Sequence, residues 1–141
     1  MPLGARPEIR AFDLLEAIDD EAREVSLAPH EAVDVAHLED AARRGAYVEL
    51  DSVGAPYQSQ TELLETTIAL IEAGFIDHLL LSHDAGWYWV GEPGGGVFRA
   101  YTSIFEKFIP ALKKGGFTDD DVKQLLVHNP RESLTIKVRK I

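Results

Sequence analysis

The segment HLLLSHDAGWYWVGEPGGG, residues 78–96, carries the strongest fold signal in the chain. It opens with a near-continuous apolar run, 78–82, which is typical of strands covered on both faces, as in parallel sheets. A histidine, an aspartate, three aromatic residues and a glycine-rich segment follow. The stretch therefore raises one question: whether a buried strand ends here in a functional loop or only in a tight turn.

Helical patterns flank this run on both sides. Capping signals mark three helix starts, at Asp34, at Ser59 with Glu62, and at Thr118 with Asp121. Glycines follow the ends of several of these patterns, as expected where a helix stops. The predicted helices cover residues 8–23, 35–44, 61–73, 99–114 and 118–127, and a last short turn is expected at 129–130.

Two further apolar runs, VSLAP (25–29) and AYVEL (46–50), alternate with the helices. Strands that alternate with helices form parallel βαβ units with right-handed crossovers. The sequence therefore predicts an α/β protein with about three parallel strands, at 25–29, 46–50 and 78–82. No linker divides the chain, so residues 1–141 are expected to form a single domain.

Composition narrows the possible partners. The 141 residues are 45% hydrophobic and 27% charged, and 14 basic against 24 acidic residues give a net charge of −10. A charge of this sign disfavours nucleic acid and anionic membrane surfaces. The chain has no cysteine, so any metal must be held by His, Asp or Glu. No apolar run reaches the ~20 residues of a membrane span, and a cytoplasmic location is expected.

Polar residues follow all three predicted strands: His30, Asp51 and Asp84. The carboxyl ends of parallel strands share one face, where the sites of α/β proteins lie. A neutral imidazole and carboxylates are good zinc ligands. The alternative is structural, because both aspartates precede glycine-containing turns and His30 could be a loop or capping residue.

Trp87, Tyr88 and Trp89 are the least ordinary feature of the loop, since three adjacent aromatic residues could line a pocket or simply cover the open end of the sheet. The GEPGGG segment lacks the Lys-Ser/Thr of a phosphate-binding loop, and no G-x-S-x-G elbow of a serine hydrolase is present. Arg99 could steer an anionic or carbonyl group, or could be an exposed residue at a helix start.

Three segments carry a family resemblance: ARRGAYVELDSVG (42–54), LLLSHDAGWY (79–88) and FEKFIPALKKGGFTDDDVKQLLVHNPRESL (105–134). Together they resemble the C-terminal part of the phosphotriesterase family of the amidohydrolase superfamily, over roughly residues 9–136. The resemblance implies a TIM (β/α)₈ barrel with a binuclear zinc centre. It also implies hydrolysis of phosphotriesters, lactones or related small-molecule esters by metal-activated water.

On this resemblance the predicted strands are barrel strands 6–8. Asp84 would bind a metal and handle the proton, and His30 would be a second metal ligand. Trp87, Tyr88 and Trp89 would belong to the eighth loop and bind substrate. The opening question then resolves in favour of a functional strand end followed by its substrate loop.

The family's His-x-His of the first strand, its bridging residue of the fourth strand and its histidine of the fifth strand have no counterpart. The expectation is therefore an incomplete TIM barrel, a C-terminal fragment that is inactive alone. Its partner would be a complementing N-terminal barrel chain or further copies of itself. The alternative is a non-catalytic α/β domain that binds a partner or ligand through its aromatic loop.

Overall fold

The computed structural model describes residues 34–135. The predicted helix at 8–23, the predicted strand at 25–29 and His30 lie outside these residues. Within them, the helices and strands are α1 (Val35–Arg43), β1 (Val48–Leu50), α2 (Gln60–Glu72), β2 (Leu79–Leu81), α3 (Ile109–Lys114), α4 (Asp119–Lys123) and α5 (Asn129–Leu134). Short 3₁₀ turns form at Ile76–His78 and Pro93–Gly95, and π-helical stretches at Ile104–Phe108 and Gln124–His128.

The sheet confirms the predicted parallel pairing for two of the three strands. β1 and β2 run parallel, with Val48 opposite Leu79 and Leu50 opposite Leu81, and α2 forms the crossover between them. The pairing continues past the strand ends, because Ser82 N–H donates to the Leu50 carbonyl at 3.2 Å and Val53 N–H to the Ser82 carbonyl at 3.0 Å. The loops that follow the two strands are therefore held side by side.

The apolar run of β2 is less buried than the sequence predicts. Leu79 is fully buried, but Leu80 and Leu81 are only half-buried, and Glu49 of β1 is exposed. Strands in a sheet that is covered on both faces would bury all of these positions. Residues 34–135 thus cover this sheet incompletely.

The predicted helix starts are confirmed in atomic detail. The Asp34 side chain accepts from Ala36 N–H at 3.0 Å, and the Ser59 hydroxyl accepts from Glu62 N–H at 3.3 Å. Thr118 and Asp121 form the full reciprocal capping box. These contacts span two or three residues, which explains why the local sequence predicts them.

Two helix boundaries differ from the prediction. The helix expected at 99–114 becomes helical only near Ile104, because the Arg99 carbonyl accepts from Gly86 N–H at 3.2 Å instead of from a helical neighbour. The short turn expected at 129–130 is instead helix α5, which continues the helical path from α4 to Leu134.

Each π-helical stretch leads into a helix whose second residue is a proline, Pro110 in α3 and Pro130 in α5. Proline cannot donate an i→i−4 hydrogen bond, and its ring clashes with the carbonyl four residues earlier. A wider π turn accommodates this mismatch without ending the helix. Pro130, which was expected to open a short turn, therefore lies inside a continuous helical path.

One hydrophobic cluster joins the sheet to the helices. Its largest fully buried side chains come from α2, β2, α3 and the π-helical stretches; they are Leu64, Leu70, Ile71, Leu79, Phe108, Leu112 and Leu125. Asn129 is the one fully buried amide in this region of the described chain. No helix within residues 34–135 is long and apolar enough to cross a membrane.

Candidate functional site

Asp84 lies three residues beyond the end of β2 and is held by three side chains. One carboxylate oxygen, Oδ2, accepts from the Tyr57 hydroxyl at 2.8 Å. The backbone carbonyl accepts from the Trp87 indole Nε1–H at 3.0 Å and from the Arg99 guanidinium. The side chain is half-buried, so it remains open to a ligand while its orientation is fixed.

Both strand ends contain one residue other than glycine in the left-handed region. Ser52 after β1 has φ 63°, and Asp84 after β2 has φ 44°. Such a conformation costs on the order of 1–3 kcal/mol and persists only where its surroundings enforce it. At Asp84 the hydrogen bond from the charged Arg99 guanidinium to the backbone carbonyl can offset this cost, because a charge-assisted hydrogen bond contributes about 1.5–3 kcal/mol. Strained residues of this kind cluster at functional sites.

Arg99 joins the two loops. Its Nη1 donates to the Val53 carbonyl at 3.3 Å, and its Nη2 donates to the carbonyl of Asp84. The guanidinium therefore bridges the loop after β1 and the loop after β2. The prediction of an exposed residue at a helix start is wrong, because Arg99 precedes the helix and is half-buried.

His83, next to Asp84, is structural in this arrangement. It is 8% exposed, and its Nε2 accepts from Ile104 N–H at 2.9 Å, which places the ring proton on Nδ1. Burial, together with the positive charge of Arg99, lowers the pKa of His83 below its usual 6.5. The imidazole is thus held neutral and holds the start of the π-helical stretch Ile104–Phe108.

This environment predicts a pH-dependent stability. Because the pKa of His83 is lower in the folded than in the unfolded state, the unfolded chain binds more protons as the pH falls below about 6.5. The contribution of His83 to the free energy of unfolding should therefore be complete above that pH and should decrease as the pH falls through the acid range. His83→Gln, which keeps an acceptor but cannot titrate, should flatten this decline in urea unfolding measured from pH 7.5 to 5.

The matched control for this prediction is His128→Gln, the same replacement at a histidine away from the site. It should leave the slope of stability against pH as in the wild type. An unchanged slope in His83→Gln would show that other groups cause the acid sensitivity.

The three aromatic residues of the loop are exposed: Trp87 by 58%, Tyr88 by 73% and Trp89 by 59%. The Tyr88 ring lies over Gly95 and the Trp89 ring over Gly96, where a Cβ atom would come within 2.3 Å and 2.7 Å of ring atoms. Gly95 and Gly96 therefore allow the two rings to pack directly against the backbone.

A groove of about 800 Å³ opens beside β2. Its lining is largely apolar and includes Leu81, His83, Asp84, Tyr101, Phe105 and Val122. Of the predicted site residues in the described part of the chain, Asp84 contributes to this groove, whereas the three aromatic residues do not. Their part in substrate binding stays a prediction.

The structure brings Asp84 and Trp87 together, and places Asp51 on the exposed surface after β1. His30 lies outside the described residues, so its role as a ligand stays a prediction. Sequence reasoning missed Tyr57 and undervalued Arg99. The available signal was chemical: a phenol and a guanidinium lie in the segments adjoining two predicted strand ends.

The metal that the resemblance implies can be tested against these contacts. Oδ2 of Asp84 is used by Tyr57, and Oδ1 has no hydrogen bond within residues 34–135. The same residues contain no group of three or more His, Asp or Glu side chains placed to share a metal ion. A catalytic zinc uses three protein ligands, so the described residues do not form a zinc site by themselves.

These features define a parallel α/β protein whose polar residues converge beyond the carboxyl ends of its strands. Residues 12–134 match the family model of the Phosphotriesterase family, and the chain belongs to that family. A phosphotriesterase homology protein of Mycobacterium tuberculosis is 34% identical over 110 residues, covering 72% of this chain and 33% of the relative.

Two further similarities support this membership. An N-acetyltaurine hydrolase of Dictyostelium discoideum is 29% identical and covers 73% of this chain and 30% of its own length. The solved phosphotriesterase of Mycobacterium tuberculosis, a TIM-barrel protein, matches with a TM-score of 0.62 at 32% identity, over 70% of this chain and 32% of that structure. The chain spans about a third of the length of the curated relatives it matches.

Proposed function

We propose that this chain contributes the Asp84-bearing strand end of a phosphotriesterase-family hydrolase. The observation that carries the proposal is Asp84 itself, a carboxylate in a left-handed conformation beyond a parallel strand, oriented by Tyr57 and anchored through its backbone by Arg99. Such a carboxylate can hold a cation or take the proton of a water that attacks an ester.

The proposed cofactor is zinc, which when bound would act as a Lewis acid and activate water. Asp84 is one ligand and His30 is the proposed second. We propose that the remaining ligands come from a polypeptide that completes the barrel, either a complementing chain or a further copy. The reason is that the chain spans about a third of the length of its curated relatives.

The substrate is proposed as a small ester or amide. The relatives bear the names phosphotriesterase homology protein and N-acetyltaurine hydrolase, which cover a phosphotriester and an amide. The family resemblance adds lactones. The side chain of Asp84 can serve all three, because each reaction needs a group that holds the attacking water or accepts its proton.

The experiment is a hydrolysis panel on the purified 141-residue protein, with a p-nitrophenyl phosphotriester, a γ-lactone and N-acetyltaurine. Each is assayed with added zinc chloride and after treatment with a chelator, alone and with the N-terminal two thirds of the Mycobacterium tuberculosis relative supplied as a separate chain. We expect hydrolysis of at least one substrate that the chelator abolishes. No hydrolysis under any condition by a folded sample would refute the proposal.

A second candidate function rests on the exposed aromatic loop. Trp87, Tyr88 and Trp89 present more than half of their surface to solvent. Large exposed apolar surface marks binding sites for partners or ligands. A folded protein that binds no zinc after dialysis against it, and hydrolyses nothing in the panel, would favour this non-catalytic role.

A further inference from the structure

Asp84 is more tightly determined than an exposed turn residue needs to be. Its φ of 44° is in the left-handed region, and donors from three separate segments converge on it. They are Tyr57 from the loop after β1, Trp87 from its own loop and Arg99 from the segment before the π-helical stretch. Two of these donors act on the backbone and one on the carboxylate, so main chain and side chain are fixed separately.

We propose that Arg99 and Tyr57 are positioning residues for Asp84, Arg99 through the backbone carbonyl and Tyr57 through the carboxylate. The inference rests on the proposed function, in which the carboxylate of Asp84 is the working group. Neither residue is required to contact the substrate.

The guanidinium of Arg99 suits this task because its donors form a rigid planar fork. One arm donates to the Val53 carbonyl at 3.3 Å and another to the carbonyl of Asp84. Val53 is itself tied to the sheet through its N–H bond to the Ser82 carbonyl at 3.0 Å. Through Arg99 and Val53, the left-handed turn at Asp84 is thereby connected to the paired strands.

Tyr57 fixes what the backbone leaves free. Its hydroxyl donates to Oδ2 at 2.8 Å, while Oδ1 of Asp84 accepts no hydrogen bond from any described residue. The carboxylate is held by one oxygen and presents the other. Tyr57 is 42% exposed, so removing its hydroxyl disturbs little of the core.

The experiment compares Arg99→Met, Arg99→Lys and Tyr57→Phe by ¹⁵N relaxation and by kinetics. A rigid backbone amide has an order parameter of about 0.85 and a flexible one below about 0.6. We expect the Asp84 amide to fall from the first range to the second in Arg99→Met and to recover in part in Arg99→Lys. Kinetically, Arg99→Met and Tyr57→Phe should lower kcat about tenfold with KM within about twofold.

Arg44→Met is the matched control, since Arg44 is exposed and pairs only with Asp40 at 2.8 Å among the ion pairs of residues 34–135. It should change neither the order parameter of Asp84 nor kcat. If the Asp84 amide stays rigid in Arg99→Met, the proposed role of Arg99 is wrong. If kcat is unchanged in Tyr57→Phe, the proposed role of Tyr57 is wrong. If Arg99→Met does not fold, the order parameter and kcat of Arg99→Lys decide the same question.

The relaxation measurement separates this inference from the proposed function. Loss of rigidity at Asp84 without any hydrolysis by the wild type would support the positioning contacts and refute the hydrolase. Hydrolysis by a wild type whose Asp84 stays rigid without Arg99 would support the hydrolase and refute the positioning role.

Discussion

Asp84→Asn should reduce hydrolytic kcat/KM by at least about 10²-fold while leaving the fold intact. The replacement is nearly isosteric, and its carboxamide oxygen can still accept from the Tyr57 hydroxyl. It removes the negative charge, and with it the capacity to hold a cation strongly or to take a proton. General acid–base groups contribute typically 10²–10⁴-fold, so the loss is easily resolved in the assay with the best substrate of the panel.

The control is Asp51→Asn, the same chemical change at the end of the neighbouring strand. Asp51 is exposed, and no side-chain hydrogen bond holds it within the described residues. Its replacement should leave kcat/KM within about threefold. If Asp84→Asn kept comparable activity, the assignment of Asp84 as the working carboxylate would be wrong.

Asn129→Ala is expected to destabilise the protein by about 2–4 kcal/mol. The Asn129 amide is fully buried, and its Nδ2 donates to the carbonyls of Ile76 and Leu79, each at 2.7 Å. Its Oδ1 accepts from the Gln124 side chain at 2.7 Å. Removing the amide takes a donor from the Leu79 carbonyl and an acceptor from the Gln124 side chain, while the Ile76 carbonyl still accepts from Leu79 N–H. A buried group left without a partner costs about 1–3 kcal/mol. Urea unfolding followed by far-UV circular dichroism measures the loss.

Two companion variants test the cause of this loss. Asn129→Asp keeps the size and the acceptor but turns an oxygen toward two carbonyl oxygens, so it should destabilise at least as much as alanine. Gln124→Ala removes only the donor to Oδ1 and should cost about 1 kcal/mol. A stable Asn129→Asp protein would show that volume, and not donation to Ile76 and Leu79, explains the effect.

The elements that the sequence predicts well are those whose causes are local. Asp34, Ser59 and Thr118 cap helices through partners two or three residues away. The parallel pairing of β1 and β2 follows from alternation of strands and helices. The continuous helical path through Pro130 could not be read in this way, because a π turn that absorbs the proline depends on packing rather than on the local pattern.

The candidate site divides along the same line. Asp84 was predictable because it lies just beyond the near-continuous apolar run of residues 78–82. Tyr57 and Arg99 were not, since they reach Asp84 from 27 and 15 residues away along the chain. Periodicity and spacing carry no information about which distant side chain a loop brings back. The helical pattern was also misleading at this point. It predicted a helix from Arg99, but Arg99 contacts the loop after β2 and the helical path begins only at Ile104.

The position of the tryptophans in the aromatic loop has a consequence for fluorescence. The chain contains two tryptophans, Trp87 and Trp89, and both belong to this one loop. The indole of Trp87 also donates to the carbonyl of Asp84. Tryptophan fluorescence therefore reports on the loop beside Asp84 and not on the buried cluster of α2 and α3. The protein carries a spectroscopic reporter at its candidate site, with no competing emission from tryptophan in its core.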